Sequence, residues 1–198
     1  MAERERRIGT IAVEARAEGE PRTLTGYAAL YGAEARIGGL FREVIEPGAF
    51  RAALARKDDV RALWNHDPNH VLGRSTAGTL VLTEDERGLR YTVTLPDTQT
   101  GRDLWVSVQR GDVSQSSFAF AVDAEEWRDQ RSDMPLRVVK DVHLFDVSAV
   151  TYPAYDETSV AARSMAKAVR LHPDDWRARL ETYAAELATV DTWRRRPS

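Results

Sequence analysis

The chain of 198 residues is sized for one domain with an appendage and is long enough to bury a core. Its 42% hydrophobic and 30% charged content suits a soluble globular protein, and a net charge of -3 argues against nucleic acid as a partner, because phosphate affinity rests on Lys and Arg. The absence of cysteine excludes disulfides, a thiol nucleophile and thiolate zinc sites.

The start, Met1 to Arg7, is charged and lacks the apolar core of a signal peptide. No apolar run approaches the roughly 18 residues of a membrane span, so a cytoplasmic protein with no membrane partner is expected. Ile8 to Arg16 predicts a first strand and Thr23 to Tyr31 a second, with Gly26 able to admit close approach of another segment. Phe41 to Glu46 alternates apolar with polar residues and ends at Pro47, which can open a helix continued by Ala49 to Arg56. Val60 to Trp64 predicts a strand that delivers a loop, Asn65-His66-Asp67-Pro68-Asn69-His70. Thr79 to Thr83 and Leu89 to Leu95 flank a Gly-containing turn as a hairpin. Thr98 can cap a helix whose apolar face carries Leu104 and Val108 and which Gly111 ends. Asp123 to Pro135 is polar and predicts a mobile excursion; Leu136 to His143 and Phe145 to Tyr152 then predict two strands or one long bent one. Short strands with few helices point to a mainly β fold with helices (α+β), arranged as a closed or nearly closed antiparallel β-barrel. Beyond Pro153, Ala154 to Arg170 reads as a linker with some helix, and Trp176, Leu180, Tyr183, Leu187 and Val190 make the apolar stripe of a last, amphipathic helix.

Three serines, Ser114, Ser116 and Ser117, fall between Gly111 and the strand-like run Phe118-Ala119-Phe120. A hydroxyl at such a junction sits on a stiff scaffold, but serine is also common wherever chains turn, so a nucleophile needs a base and a group to orient it. His66 follows directly from a strand and is the better anchored of the loop histidines; His70, four residues on, makes a metal pair conceivable only as a loop, because Pro68 disfavours a helix there. Asp146 lies between Phe145 and Val147, where a buried carboxylate needs a partner, either a histidine or an arginine. His143 is the alternative third member. Ser164-Met-Ala-Lys167 matches the S-x-x-K pattern but lies in the linker without its companion motifs.

Taken together, Gly26-Tyr-Ala-Ala-Leu-Tyr-Gly32, Phe41 to Phe50, Leu63-Trp-Asn-His-Asp67 with Leu72-Gly-Arg74, Gly111 to Phe120 and Leu144 to Ala154 resemble, in order, the motifs of the HK97-type phage prohead serine protease family. The resemblance covers roughly Gly26 to Ala154 and implies a β-barrel related to the herpesvirus assembly proteases; the protease domain is expected over residues 1–153, and 154–198, the linker and C-terminal helix, lies outside the resemblance. It implies a serine endopeptidase, with no cofactor or metal, that cleaves scaffold or major capsid protein extensions inside assembling proheads in the host cytoplasm. Self-cleavage and a homodimer are further expectations. Carried over residue by residue, Ser117 is the nucleophile, His66 the base and Asp146 the acid. Ala119 stands where Gly is more usual and Asp146 where Glu is. Ser116 and His143, the latter because herpesvirus relatives use a second histidine, remain alternates. The rival classes are a non-enzymatic capsid-assembly barrel and a metal-dependent hydrolase centred on His66 and His70.

Overall fold

The computed structural model describes residues 4–9, 13–16, 21–152 and 181–182. Among them the β-branched and aromatic runs form strands β1 (Glu5–Gly9), β2 (Glu14–Arg16), β3 (Thr23–Leu30), β4 (Ala35–Ile37), β5 (Phe41–Ile45), β6 (Arg61–Trp64), β7 (Asp67–Arg74), β8 (Leu80–Glu84), β9 (Gly88–Thr94), β10 (Gln115–Arg128) and β11 (Leu136–Val150). Helix α1 (Arg51–Arg56) follows β5. Helix α2 (Gln99–Arg110) begins where the Thr98 hydroxyl accepts the Gly101 N–H at 3.2 Å, and ends at Gly111, whose φ of 82° only glycine adopts freely.

These strands divide into two sheets. One runs β1-β10-β11-β5-β4, with β6 joined to β11 and β7 to β6; the other runs β2-β3-β9-β8. A closed barrel is therefore not detected among the described residues. Alternation along a strand reports which face is buried, not which edges pair, and here the edges sort into two ladders. The expected strand from Ile8 to Arg16 is likewise split, β1 joining one sheet and β2 the other.

β11 is the spine of the larger sheet. β10 pairs antiparallel along one edge, while the other edge takes β5 at Leu136–Val139 and β6 at Asp146–Ala149, both parallel. Ser148 thus lies between Ser117 on β10 and Leu63 on β6, and Asp146 between Ala119 and Arg61. The polar stretch after Val122 is not an excursion: β10 continues to Arg128, because its charges are paired across the sheet and Trp127 packs edge-on against Phe41 at 5.0 Å.

The alternation of β10 separates core from chemistry. Phe118 and Phe120 stack on each other at 4.8 Å, Phe50 meets Phe118 edge-on at 5.6 Å, and all three join Leu24, Leu89, Val93 and Leu104 in the core. Each such ring contributes about 1.5–3 kcal/mol of burial. Ser117 and Ala119 point to the opposite face. The C-terminal segment assigned to a linker and helix, with Ser164, Lys167 and His172, lies outside the described residues apart from Glu181 and Thr182, which are helical.

Candidate active site

His66 is aimed by a turn and not by a loop. β6 and β7 pair at Trp64 and Asp67, leaving Asn65 and His66 as the two residues of the connection, with φ of 55° and 58°. Positive φ at both central positions is the signature of the tight hairpin turn whose twist matches that of its strands, and a histidine at the second position, where glycine is at ease, is strained. The strain is held by Asn65: its N–H donates to the Ala149 carbonyl at 2.9 Å, its side-chain oxygen accepts the Thr151 N–H at 2.9 Å, and its amide donates to the Thr151 hydroxyl at 3.3 Å. Pro68 is tolerated because β7 pairs only with β6 and the register slips between Leu63 and Trp64, so that residues 68–70 bulge.

The imidazole lies between the acid and the alcohol. His66 Nδ1 stands 2.5 Å from Asp146 Oδ1, and Nε2 stands 2.7 Å from Ser117 Oγ. Ser117 and Asp146 are 0% exposed and His66 is 8% exposed. The Ser148 hydroxyl donates to the same Asp146 oxygen at 2.9 Å and lies 3.2 Å from His66 Nδ1. Arg4 makes an ion pair with the other oxygen, Oδ2, while its guanidinium covers the Phe145 ring at 5.1 Å. Burial alone would push the Asp146 carboxyl up; the hydrogen bond and charge of His66, then Arg4 and Ser148, outweigh it and hold the carboxyl below the usual range. An anionic Asp146 fixes the proton of a neutral imidazole on Nδ1 and frees Nε2 to accept one from Ser117.

The Ser117 hydroxyl has a second neighbour. It donates to the main-chain carbonyl of Arg7 at 2.8 Å, because β1 lies antiparallel to β10 with Ile8 opposite Ser117. One hydroxyl proton serves one acceptor at a time. While it points at Arg7 it is not shared with the ring.

The alternates stand elsewhere. Ser116 Oγ faces the core and lies 2.9 Å from the Tyr91 hydroxyl, which burial pushes up to about 12. Gly26 backs this pair: a Cβ there would meet the Tyr91 oxygen at 3.0 Å and the Ser116 oxygen at 3.1 Å. His143 packs edge-on against Phe145 at 4.9 Å, with Nδ1 3.4 Å from Asp58. His70 leans on Trp64 at 5.9 Å and faces Asp67 at 3.7 Å. Both nitrogens of His66 already face Asp146 and Ser117, and no group of three or more potential metal-binding side chains occurs among the described residues.

Sequence reasoning missed Arg4, Arg7, Asn65 and Ser148. Asn65 carried a signal, since Asn is favoured in tight hairpin turns. Ser148 also carried one, because two residues along a strand from Asp146 means the same face. Arg4 and Arg7 carried none.

A family model described as caudovirus prohead serine protease matches residues 10–170 of the chain. No curated protein matches it. Among solved structures the bacteriophage T4 capsid assembly protease, gp21, is similar, at 11% sequence identity and a TM-score of 0.46 over 76% of this chain and 96% of that one. Among the described residues no helix is long and apolar enough to cross a membrane.

Proposed function

This chain belongs to the caudovirus prohead serine protease family, and from that premise we propose that it is the endopeptidase that trims scaffold or capsid-protein extensions inside assembling proheads, with Ser117, His66 and Asp146 as its catalytic triad. The observation that supports this reading is the buried imidazole with Asp146 at 2.5 Å on one nitrogen and Ser117 at 2.7 Å on the other.

The chemistry then runs as acyl transfer. Ser117 Oγ attacks the scissile carbonyl carbon while its proton passes to His66 Nε2, and Asp146 stabilises the imidazolium that forms. The tetrahedral intermediate collapses as Nε2 gives that proton to the departing amine, leaving an ester on Ser117. Water attacks the ester, His66 again takes the proton and returns it to Ser117 Oγ, and the new carboxyl end leaves. Proton transfer by a positioned side chain contributes roughly 10²–10⁴ in rate. Ser148, which donates to Asp146, keeps the carboxylate turned toward the ring.

The test is labelling of the purified chain with a fluorophosphonate, together with cleavage of the cognate capsid or scaffold protein. Ser117→Ala loses both labelling and cleavage, and Ser116→Ala keeps both. Full cleavage by Ser117→Ala would overturn the assignment. Activity lost only to chelators would move it to metal chemistry.

A further inference from the structure

β1 occupies the outer edge of β10 as an extended peptide would. It runs antiparallel with Glu5 opposite Phe120, Arg7 opposite Phe118 and Ile8 opposite Ser117. It holds an end position in its sheet, so it can leave without parting any other pair of strands. It also precedes the range that the family model matches, which begins at residue 10. The carbonyl that reaches Ser117 Oγ is that of Arg7. The contact is a hydrogen bond to the carbonyl oxygen, with the nucleophile's proton turned from His66, so β1 fills the channel in a resting and not a reacting arrangement.

The floor of this channel is charged. Glu5 and Arg7 lie two apart on the face away from Ser117. Arg137 donates to both oxygens of Glu5, at 2.8 and 2.9 Å, and Arg7 donates to both oxygens of Glu43, at 2.5 and 3.0 Å. The Arg7 guanidinium also lies 5.6 Å over the Phe120 ring. Arg137 is 1% and Glu43 2% exposed, and a further bond of 3.0 Å joins them. Groups buried to that degree tolerate loss of a partner poorly, and a wrong charge beside them less still. Without β1, Arg137 keeps Glu43 and also Glu125, at 2.6 Å, so a strand that replaces β1 is favoured when it presents an acid to Arg137 and, two residues later, a base to Glu43, and is disfavoured when it presents the reverse.

Resting on the reading of Ser117 as nucleophile, we propose that Arg137 and Glu43 are specificity-determining residues, selecting an extended substrate segment with an acidic residue two positions before a basic one, and that β1 is a resident copy of that pattern. The basic residue supplies the carbonyl presented to Ser117. The peptide bond that breaks is the one following it, the departing amine taking the proton from His66 and water completing hydrolysis of the ester.

The experiment uses the full chain carrying Glu5→Arg and Arg7→Glu, which sets like charges against Arg137 and Glu43 and expels β1 while keeping every residue of the floor and the triad, although Arg4 leaves Asp146 with the strand. Fluorophosphonate labelling of Ser117 should be at least tenfold faster than in the unaltered chain. Two quenched peptides are then compared, one built on Arg-Glu-Arg-Arg-Ile-Gly and one with its second and fourth residues exchanged. The matched peptide is cut after its fourth residue with kcat/KM at least 100-fold above the exchanged one, and the unaltered chain prefers the same peptide at a lower rate. That second arm keeps the test decisive if the variant folds poorly. Equal or reversed kcat/KM values, with Ser117 still labelled, would overturn this inference and leave the proposed function standing. Absence of any labelling or Ser117-dependent hydrolysis would overturn both.

Discussion

Asn65 and Thr151 clasp each other beside the candidate site: the Asn65 side-chain oxygen accepts the Thr151 N–H at 2.9 Å and its amide reaches the Thr151 hydroxyl at 3.3 Å. The residue after Asn65 is His66, held at a φ of 58°. Replacing Asn65 with Ala removes both bonds and puts a residue without local hydrogen bonding into the left-handed region. A stability loss of about 1–3 kcal/mol is expected, with kcat falling at least tenfold and KM little changed. Asn65→Gly restores the backbone freedom but not the clasp, so it should recover stability more than kcat. Urea denaturation and steady-state kinetics on the pair separate the two effects; equal recovery of both would show that the clasp has no part in aiming the ring.

The three side chains that meet were each conspicuous by chemistry in the sequence: a serine leading into an aromatic strand, a histidine at a strand end, and an acid set among apolar residues. Other strands were also legible, since period-two burial leaves a clear trace in β5 and β9. What alternation does not carry is the pairing of edges. Arg7 lies 110 residues from Ser117, and Arg4 lies 142 from Asp146, so neither contact leaves a local pattern. The second half of β10 read as loop for a related reason. Its Glu125 meets Arg137 at 2.6 Å, which makes a charged residue a strand residue only once the partner is known.

Asp146→Asn tests the acid without changing its size. The amide keeps a hydrogen bond to the ring but no longer prefers the proton on Nδ1, and it does not stabilise an imidazolium. A fall in kcat of roughly 10³–10⁴ with the fold intact is expected for a triad acid of this kind. Single-turnover acylation by an activated ester measures it; a fall below tenfold would show that the acid serves packing and not the ring.

Tyr91→Phe isolates the neighbouring serine. Tyr91 and Ser116 are buried and bonded to each other at 2.9 Å, so the variant leaves a buried hydroxyl without that partner. A loss of about 1–3 kcal/mol in unfolding free energy is expected, with no change in the rate at which Ser117 is labelled. Thermal melting and probe kinetics read the two quantities separately. A slower label would mean that the Ser116 side of the strand contributes to the nucleophile.

The acid limit of stability should carry the mark of Asp146. Its carboxyl is held below the usual range when folded: burial pushes it up, but the hydrogen bond and charge of His66, with Arg4 and Ser148, outweigh that. Glu5 behaves alike: burial pushes it up, and Arg137 and Arg7 outweigh it. In the unfolded chain an Asp titrates near ~3.9 and a Glu near ~4.3. Between the unfolded and folded values the unfolded chain binds more protons, so stability rises with pH there; the contribution is complete above the unfolded values and is lost as pH falls through the folded ones. Each group adds a slope of at most about 1.4 kcal/mol per pH unit in that window. The unaltered chain should therefore hold its urea midpoint down to about pH 4 and lose it steeply below. Asp146→Asn should start from a lower plateau and fall more gently, since no carboxyl at that position remains to be protonated. Acid limbs of equal steepness in the two proteins would mean that the Asp146 carboxyl keeps its unfolded affinity for protons, and that the pairing with His66 and Arg4 adds nothing to the fold.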